Sequence, residues 1–304
     1  MRNMNVAAVQ MVSGPDVEEN LAAARRLIDS AVAEGAELVL LPEYFGTLGA
    51  SLAARQATYE NDGDGVQQQF LSEMARTHRI YLIGGCVPIK SPSLPSLSPC
   101  PSPAESGRGE TFPSSLPFGR EEGGVKRARS ACLVYDPDGE RVARYDKIHL
   151  FRFSYGDESY DEAELIEAGD VPKTGEAPAT FEAPCGRVAL SICYDLRFPE
   201  LYRSFGEVAL TVVPAAFTAV TGHAHWEVLL RARAIENQCY VLAAGQGGRH
   251  PNGRETFGHS MLIDPWGHIV SCLPYGEGIA AGAVDLARIE EVRGWLPALQ
   301  HRRL

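Results

Sequence analysis

Three side chains of the sequence have the chemistry of acyl transfer, and each lies at or just after the end of an apolar run. They are the carboxyl group of Glu43, the amine of Lys147 and the thiol of Cys193. Acyl transfer needs a nucleophile, a base and a group that stabilises the oxyanion. A thiolate is a strong nucleophile, a carboxylate in a dry pocket can accept the thiol proton, and an ammonium can lie against the oxyanion. Together the three residue types predict a site at which a thiol attacks an amide carbon.

Each of these residues also has an ordinary structural explanation. A glutamate after a strand is commonly a solvated cap, a lysine near a tyrosine is commonly a surface residue, and a free cysteine is commonly buried in a core. The sequence has seven cysteines, at scattered spacings and with no C-x-x-C pair. This argues against a disulfide framework or a cysteine-type zinc site, and it favours a reducing compartment. The catalytic interpretation therefore rests on the three residues occurring together.

The elements that must position these residues alternate between strands and helices. Predicted strands at 37–41 and 188–193 lead to Glu43 and Cys193, and a hairpin over 131–145 leads to Lys147. In α/β folds, ligands bind at the carboxyl ends of strands. The alternation, with hairpins added, predicts an α/β protein with one mixed sheet or two sheets. The other predicted elements are strands at 6–11, 80–84, 208–213 and 239–244, a hairpin at 260–272, a helix from the N-cap Asp16 to Gly35, and helices at 66–77, 199–205 and 225–238.

A Ser/Pro-rich segment interrupts this order. Residues 91–117 contain seven prolines and eight serines, a composition that buries too little apolar area to offset the entropy of ordering. We predict one domain over residues 1–304 that contains a Ser/Pro-rich surface insertion at 91–127. The alternative is a docking segment for a partner that binds proline-rich peptides.

Composition excludes some function classes. Hydrophobic residues make up 45% of the chain and charged residues 22%, which predicts a sizeable core. Acidic residues outnumber basic ones by 39 to 28, so the net charge is −11, whereas nucleic-acid binders usually carry a basic excess. No run approaches the roughly 20 apolar residues of a membrane span, and the first residues lack the apolar core of a signal peptide. We expect a cytoplasmic protein with neither a nucleic-acid nor a membrane partner.

The three segments around these residues resemble the nitrilase, or carbon–nitrogen hydrolase, superfamily, which uses a Glu-Lys-Cys triad in this chain order. The resemblance covers nearly the whole chain outside the insertion and is carried by Leu41-Pro-Glu43, Tyr145-Asp-Lys-Ile-His-Leu-Phe151 and Ser191-Ile-Cys-Tyr-Asp-Leu-Arg-Phe-Pro-Glu-Leu201. It implies an α-β-β-α sandwich, a homodimer or larger homo-oligomer, and no metal or organic cofactor. It also implies a second glutamate that positions the lysine. Glu162 matches best, with Glu158 and Glu164 close by.

The region around Cys193 holds further candidates. By analogy with nucleophile elbows, the backbone N–H of Tyr194 is the second oxyanion donor beside Lys147. Arg197 contacts an anionic substrate or pairs with Glu200.

The C-terminal half resembles the Nit branch of the superfamily, whose members hydrolyse the amides of deaminated glutathione or 2-oxoglutaramate. The segments are Val213-Pro-Ala-Ala-Phe-Thr218, Thr221-Gly-His-Ala-His-Trp-Glu227, Leu230-Arg-Ala-Arg-Ala-Ile-Glu-Asn-Gln-Cys-Tyr240 and Gly258-His-Ser-Met-Leu-Ile-Asp-Pro-Trp-Gly267. Phe217 and Thr218 are the predicted substrate contacts in this half. The resemblance favours deaminated glutathione as substrate. The alternatives are an omega-amidase that acts on 2-oxoglutaramate, a hydrolase of another small amide or ureido compound, and a catalytically silent scaffold or signalling protein.

Two other patterns in the sequence are typical of different chemistry, but the support for each is weaker. His223 and His225 form an H-x-H pair that could bind zinc, but beside Trp226 a structural or substrate-facing role is the preferred interpretation. The run 245–248 lacks the spacing of a phosphate loop and is interpreted as a turn after a strand.

Overall fold

A computed structural model describes residues 1–91, 127–155, 158–172 and 179–303 of the chain. The predicted insertion falls almost wholly outside the described residues, as does Cys100. The insertion, and with it the division into a single domain, therefore stays a prediction.

The described residues form sixteen strands. They are β1 (Met4–Gln10), β2 (Leu38–Leu40), β3 (Tyr81–Lys90), β4 (Ala128–Tyr135), β5 (Arg141–Asp146), β6 (Arg152–Tyr155), β7 (Glu158–Asp161), β8 (Thr180–Ala183), β9 (Gly186–Leu190), β10 (Leu210–Ala215), β11 (Tyr240–Gly245), β12 (Gly247–Arg249), β13 (Glu255–Phe257), β14 (Ser260–Ile263), β15 (Ile269–Leu273) and β16 (Gly278–Val284).

Twelve of these strands form two six-stranded sheets. The first sheet has the order β16-β1-β2-β3-β4-β5 and the second the order β15-β14-β11-β10-β9-β8. Each has a parallel centre, β1-β2-β3 or β9-β10-β11, flanked by antiparallel strands. Both sheets are thus mixed. The pairs β6–β7 and β12–β13 are separate two-stranded hairpins.

The described residues also form six α-helices. They are α1 (Val17–Ala33), α2 (Leu52–Ala57), α3 (Val66–His78), α4 (Pro199–Ser204), α5 (Ala219–Asn237) and α6 (Leu286–Trp295), with short 3-10 helices at Glu162–Glu164, Cys193–Arg197 and Ala298–His301.

Strand β1 shows how the layers are assembled. Its side chains alternate between two faces, as in any strand. Val6 and Ala8 join the core shared with the second sheet, whereas Ala7 and Val9 pack in the cluster that contains the apolar face of α1. Helices α4 and α5 cover the second sheet from its other side. The predicted α-β-β-α sandwich of two mixed sheets is confirmed.

Element boundaries follow the caps. The side chain of Asp16 accepts a hydrogen bond from the N–H of Glu19 over 2.9 Å, so α1 begins where predicted. The prediction of a helix at 225–238 was wrong at its start, because Thr218 caps α5 by accepting from the N–H of Thr221. Strand β9 ends at Leu190, three residues before the predicted end, and Cys193 opens a 3-10 helix. Among the described residues, no helix has the length and apolarity needed to cross a membrane.

Candidate functional site

Cys193 lies on a sharp turn directly after a buried strand. Strand β9 ends at Leu190, and Cys193 begins a 3-10 helix with a φ of 46°. A non-glycine residue in this left-handed region costs on the order of 1–2 kcal/mol. Such strain persists only where the surrounding structure imposes it, often at functional sites. The side chain is only 8% exposed, and the N–H of Tyr194 lies in the first turn of the helix, where N–H groups lack intrahelical acceptors.

Lys147 joins two carboxylates in a buried cluster. Its Nζ lies 2.8 Å from Glu43 Oε1, 2.9 Å from Glu162 Oε1 and 2.8 Å from Glu162 Oε2. All three residues are 1% exposed. A buried charge is tolerated only when it is paired and hydrogen-bonded. Lys147 therefore fixes the relative position of two segments that are more than 100 residues apart.

Further hydrogen bonds fix the orientation of the two carboxylates. Glu43 Oε2 accepts a hydrogen bond from the N–H of Ala216 over 2.9 Å, at the end of β10. Glu162 Oε2 accepts from the N–H of Phe151 over 2.8 Å, and its Oε1 accepts from the Tyr44 hydroxyl over 3.2 Å. Hydrogen bonds to both carboxylate oxygens thus fix the orientation of the Glu43 side chain.

The electrostatics of the cluster hold the thiol neutral and the amine charged. Burial raises the pKa of the Cys193 thiol well above its usual range, and the nearby Glu43 charge raises that pKa further, against the opposing effect of Lys147. The thiol also hydrogen-bonds Glu43. Burial alone would lower the pKa of Lys147, but the charges of Glu162 and Glu43 outweigh it and raise that pKa well above its usual range. The arrangement places a neutral thiol beside a carboxylate that can accept its proton.

A third buried carboxylate, that of Asp195, stabilises the turn. Asp195 Oδ2 accepts from the N–H of Ile192 over 2.9 Å and from the Tyr145 hydroxyl over 2.8 Å. Its Oδ1 lies 2.7 Å from His149 Nδ1, and the His149 ring stacks on Phe198 at 3.7 Å. These residues stand in the motifs that define the resemblance, but no sequence pattern assigns them a role, because their partners lie about 50 residues away.

The cluster lies in a pocket of about 360 Å³. Its lining includes all the predicted site residues: Glu43, Lys147, Glu162, Cys193, Tyr194, Arg197, Phe217 and Thr218. It also includes residues that sequence reasoning missed: Tyr44, Phe151, Tyr160, Ala216, Thr221 and Arg254. Most of the missed residues reach the pocket from loops and from the β6–β7 and β12–β13 hairpins, so their spacing in the chain carries no signal.

Two questions left open by the sequence were the identity of the second glutamate and the partner of Arg197. Glu162 is buried against Lys147, Glu164 is exposed, and the side chain of Glu158 lies outside the described residues. Arg197 does not pair with Glu200; its Nη1 lies 3.3 Å from His225 Nδ1, and its guanidinium packs over the rings of Tyr194 and Phe217.

The His pair and the glycine run also have structural settings. His223 packs edge-on against Phe257, and the described residues hold no cluster of three or more His, Cys, Asp or Glu side chains arranged for a metal ion. In the run 245–248, Gln246 is buried and donates to the Glu43 carbonyl over 3.0 Å.

The family of the chain follows from comparison with known proteins. A model of the carbon–nitrogen hydrolase family matches residues 5–294. The chain belongs to the carbon–nitrogen hydrolase family. It is thus a hydrolase of carbon–nitrogen bonds, as the resemblance to this superfamily indicated.

Relatives of this carbon–nitrogen hydrolase match over its full length. It is 38% identical to the deaminated glutathione amidase of Synechocystis sp., covering 99% of each chain. It is 36% identical to the deaminated glutathione amidase of Yersinia enterocolitica, covering 100% of this chain and 94% of that one. The crystal structure of Saccharomyces cerevisiae Nit3, a member of branch 10 of the nitrilase superfamily, superposes with a TM-score of 0.77 at 28% identity, covering 100% of this chain and 97% of that one.

Proposed function

We propose that this protein is an amidase with Cys193 as its nucleophile. It hydrolyses the amide of a small 2-oxo acid derivative, and deaminated glutathione is the preferred candidate substrate. The observation that carries the proposal is the buried bridge of Lys147 to Glu43 beside the Cys193 thiol. It brings nucleophile, base and cation into one pocket. That pocket belongs to a chain whose full-length relatives include deaminated glutathione amidases.

In the first step, Glu43 accepts the thiol proton as the sulfur attacks the amide carbon. Because the pKa of Cys193 is raised by burial, the thiol is neutral before attack, and proton transfer accompanies bond formation. The Lys147 ammonium and the Tyr194 N–H stabilise the tetrahedral oxyanion. Glu43 then returns the proton to the leaving amine, and a thioester remains on Cys193.

In the second step, water hydrolyses the thioester. Glu43, again ionised, accepts a proton from the water as its oxygen attacks the acyl carbon. The C–S bond breaks, the proton returns to sulfur, and the 2-oxo acid leaves. Glu162 keeps Lys147 in place through both steps, since it contacts Nζ with both carboxylate oxygens. The steps use only groups of this chain and no cofactor.

Arg197, Phe217 and Thr218 are the proposed substrate contacts. All three line the pocket with Cys193, and Arg197 lies four residues beyond the nucleophile on the same 3-10 helix. A guanidinium binds a carboxylate through two parallel hydrogen bonds. We assign Arg197 to the carboxylate of the 2-oxo acid, which deaminated glutathione and 2-oxoglutaramate share.

The test measures release of 2-oxoglutarate, the product common to both substrates. Wild type, Cys193→Ala and Cys239→Ala are compared, because Cys239 is an equally buried thiol outside the pocket. We expect Cys193→Ala to lose activity by a factor of about 10⁴ or more and Cys239→Ala to keep it. Equal activity in wild type and Cys193→Ala contradicts the nucleophile assignment. Activity on 2-oxoglutaramate alone selects the omega-amidase, and no activity on either selects the silent scaffold.

We also propose that the protein is a cytoplasmic homodimer or larger homo-oligomer. Helix α5 presents Val228 and Ile235 on one outward face, 68% and 47% exposed, and apolar residues seven apart on a helix share a face. Such a face suits a second copy of the chain. Light scattering coupled to size exclusion measures the mass, and a monomer at micromolar concentration contradicts the proposal.

A further inference from the structure

Two arginines line the pocket and have no carboxylate partner among the described residues. Arg197 and Arg254 both border the cavity that contains Cys193. Within the described part of the chain, neither forms an ion pair, although acidic residues outnumber basic ones by 39 to 28. The guanidinium of Arg197 lies 3.3 Å from His225 Nδ1, and the guanidinium of Arg254 packs over the Tyr160 ring. Two cations in one pocket of an acidic protein, both without a counter-charge among the described residues, indicate an anionic ligand.

A series of aromatic ring contacts, the aromatic wall, runs from one guanidinium group to the other. The guanidinium of Arg254 lies 5.2 Å from the Tyr160 ring centre. Tyr160 contacts Phe151 with ring centres 5.9 Å apart, and Phe151 contacts Tyr194 at 5.2 Å. Arg197 lies 5.7 Å over Tyr194. Three rings thus lie between the two cations along the wall, an arrangement that suits two carboxylates on one ligand.

The loop that carries Arg254 is held in a defined shape. In the β12–β13 turn, the N–H of His250 donates to the Arg254 carbonyl, and the N–H of Arg254 donates to the Asn252 side chain. The ring of His250 is buried between the carbonyl of Ser13 and the hydroxyl of Thr256, at 2.8 and 2.7 Å. A fixed backbone lowers the entropy lost when the arginine binds a ligand.

We propose that Arg254 binds a second carboxylate, carried by the leaving group of the substrate. This inference rests on the proposed function and deepens it. Deaminated glutathione is a 2-oxoglutaryl group joined by the scissile amide to a cysteinylglycine dipeptide, so it has one carboxylate on each side of the bond. With Arg197 assigned to the acyl side, Arg254 at the other end of the wall meets the glycine carboxylate. The leaving group of 2-oxoglutaramate is ammonia, which offers Arg254 nothing to bind.

Arg254 is therefore a specificity-determining residue for dicarboxylate amides. Its contact exists before the amide bond breaks and is lost with the leaving group. Both substrates leave the same 2-oxoglutaryl thioester on Cys193, so Arg254 acts on binding and acylation and not on thioester hydrolysis. Its removal lowers kcat/KM for deaminated glutathione alone.

The first experiment compares kcat/KM for the two substrates in wild type, Arg254→Gln, Arg254→Lys and Arg249→Gln. Arg249 is an exposed arginine on the same hairpin and does not line the pocket, so it is the matched control. We expect Arg254→Gln to lower kcat/KM for deaminated glutathione by about 10- to 100-fold, the range for a charge-assisted hydrogen bond, and to leave 2-oxoglutaramate within about 2-fold. Arg254→Lys keeps part of the activity because it keeps the charge.

The second experiment removes the carboxylate from the substrate instead of the arginine from the protein. The probe is deaminated glutathione with its glycine carboxylate converted to a carboxamide. Wild type should lose as much kcat/KM on this probe as Arg254→Gln loses on the parent compound. Arg254→Gln should lose little more on the probe, because the interaction is already gone.

The outcomes separate this inference from the proposed function. A wild type that releases no 2-oxoglutarate from either substrate contradicts the proposed function itself. A wild type that is active on deaminated glutathione, with Arg254→Gln equally impaired on both substrates, unimpaired on both, or impaired no more than Arg249→Gln, overturns the role of Arg254 and leaves the amidase in place.

Discussion

The Tyr145 hydroxyl donates a hydrogen bond over 2.8 Å to Oδ2 of Asp195. This contact joins the strand that leads to Lys147 with the turn that carries Cys193. Asp195 is fully buried, and its other acceptor sites take the N–H of Ile192 and two nitrogens of His149. Lys147 and Cys193, the proposed nucleophile, therefore share one support, although about 50 residues separate them.

Asp195→Asn tests that support. An amide of the same shape presents an NH₂ group in place of one acceptor oxygen, so it cannot accept from all four donors. We expect kcat to fall by about 10- to 100-fold, since small misplacements of a nucleophile have effects of this size, while KM changes little. Steady-state kinetics with either amide substrate measures both constants.

A turn aspartate far from the pocket is the control for this variant. Asp136 accepts from the backbone N–H groups of Asp138 and Glu140 in the β4–β5 turn. Asp136→Asn should lose some thermal stability and keep kcat. If Asp195→Asn keeps full kcat, or if the two variants lose kcat alike, Asp195 does not position the site.

The sequence predicted which residues lie together in the pocket better than it predicted the contacts that hold them there. Glu43 and Cys193 follow apolar strands, and that local pattern is visible without a structure. Contacts with residues far away in the chain determine the surroundings of Tyr145, Asp195 and Arg254. The local sequence pattern contains no sign of such contacts. Which strand lies beside which, such as β16 against β1, is likewise decided by packing across the whole sheet.

Helix α5 shows a second way in which sequence patterns mislead. Buried residues such as Trp226 and Leu230 face the sheet, but Val228 and Ile235 are exposed on the outer side. With apolar residues on both faces, the helical period is weak and does not mark the start. The N-cap Thr218 does mark it, six residues earlier than the pattern of apolar residues indicated.

A double variant separates the structural and catalytic roles of Lys147. Lys147→Met leaves Glu43 and Glu162 buried without their cation, and removing one partner of a buried pair costs about 3–5 kcal/mol of unfolding free energy. Adding Glu162→Gln removes one of the uncompensated charges, so we expect about half of the lost stability or more to return. Chemical denaturation at neutral pH measures both changes.

Activity should not return in the double variant. Lys147 is proposed to stabilise the oxyanion, and removing such a donor lowers kcat by about 10² to 10³. The single and double variants should therefore be equally inactive despite their different stabilities. A double variant with near wild-type kcat would show that Lys147 serves only to neutralise its two glutamates.

Alkaline pH should destabilise the protein through its buried thiols. Burial raises the pKa of Cys239 and of Cys185 to about 11 and that of Cys86 to about 12, against about 8.5 in an unfolded chain. Above pH 8.5 the unfolded state releases thiol protons that the folded state keeps, so the unfolding free energy falls as pH rises. Each thiol removes about 2 kcal/mol between pH 8 and pH 10. Urea denaturation under reducing conditions at both pH values measures the loss.

Cys239→Ala starts from a lower stability at pH 8, but its loss between the two pH values should be smaller than that of wild type by the share of one thiol. A wild type whose unfolding free energy is the same at pH 8 and pH 10 contradicts this account, as does a Cys239→Ala variant with an undiminished loss.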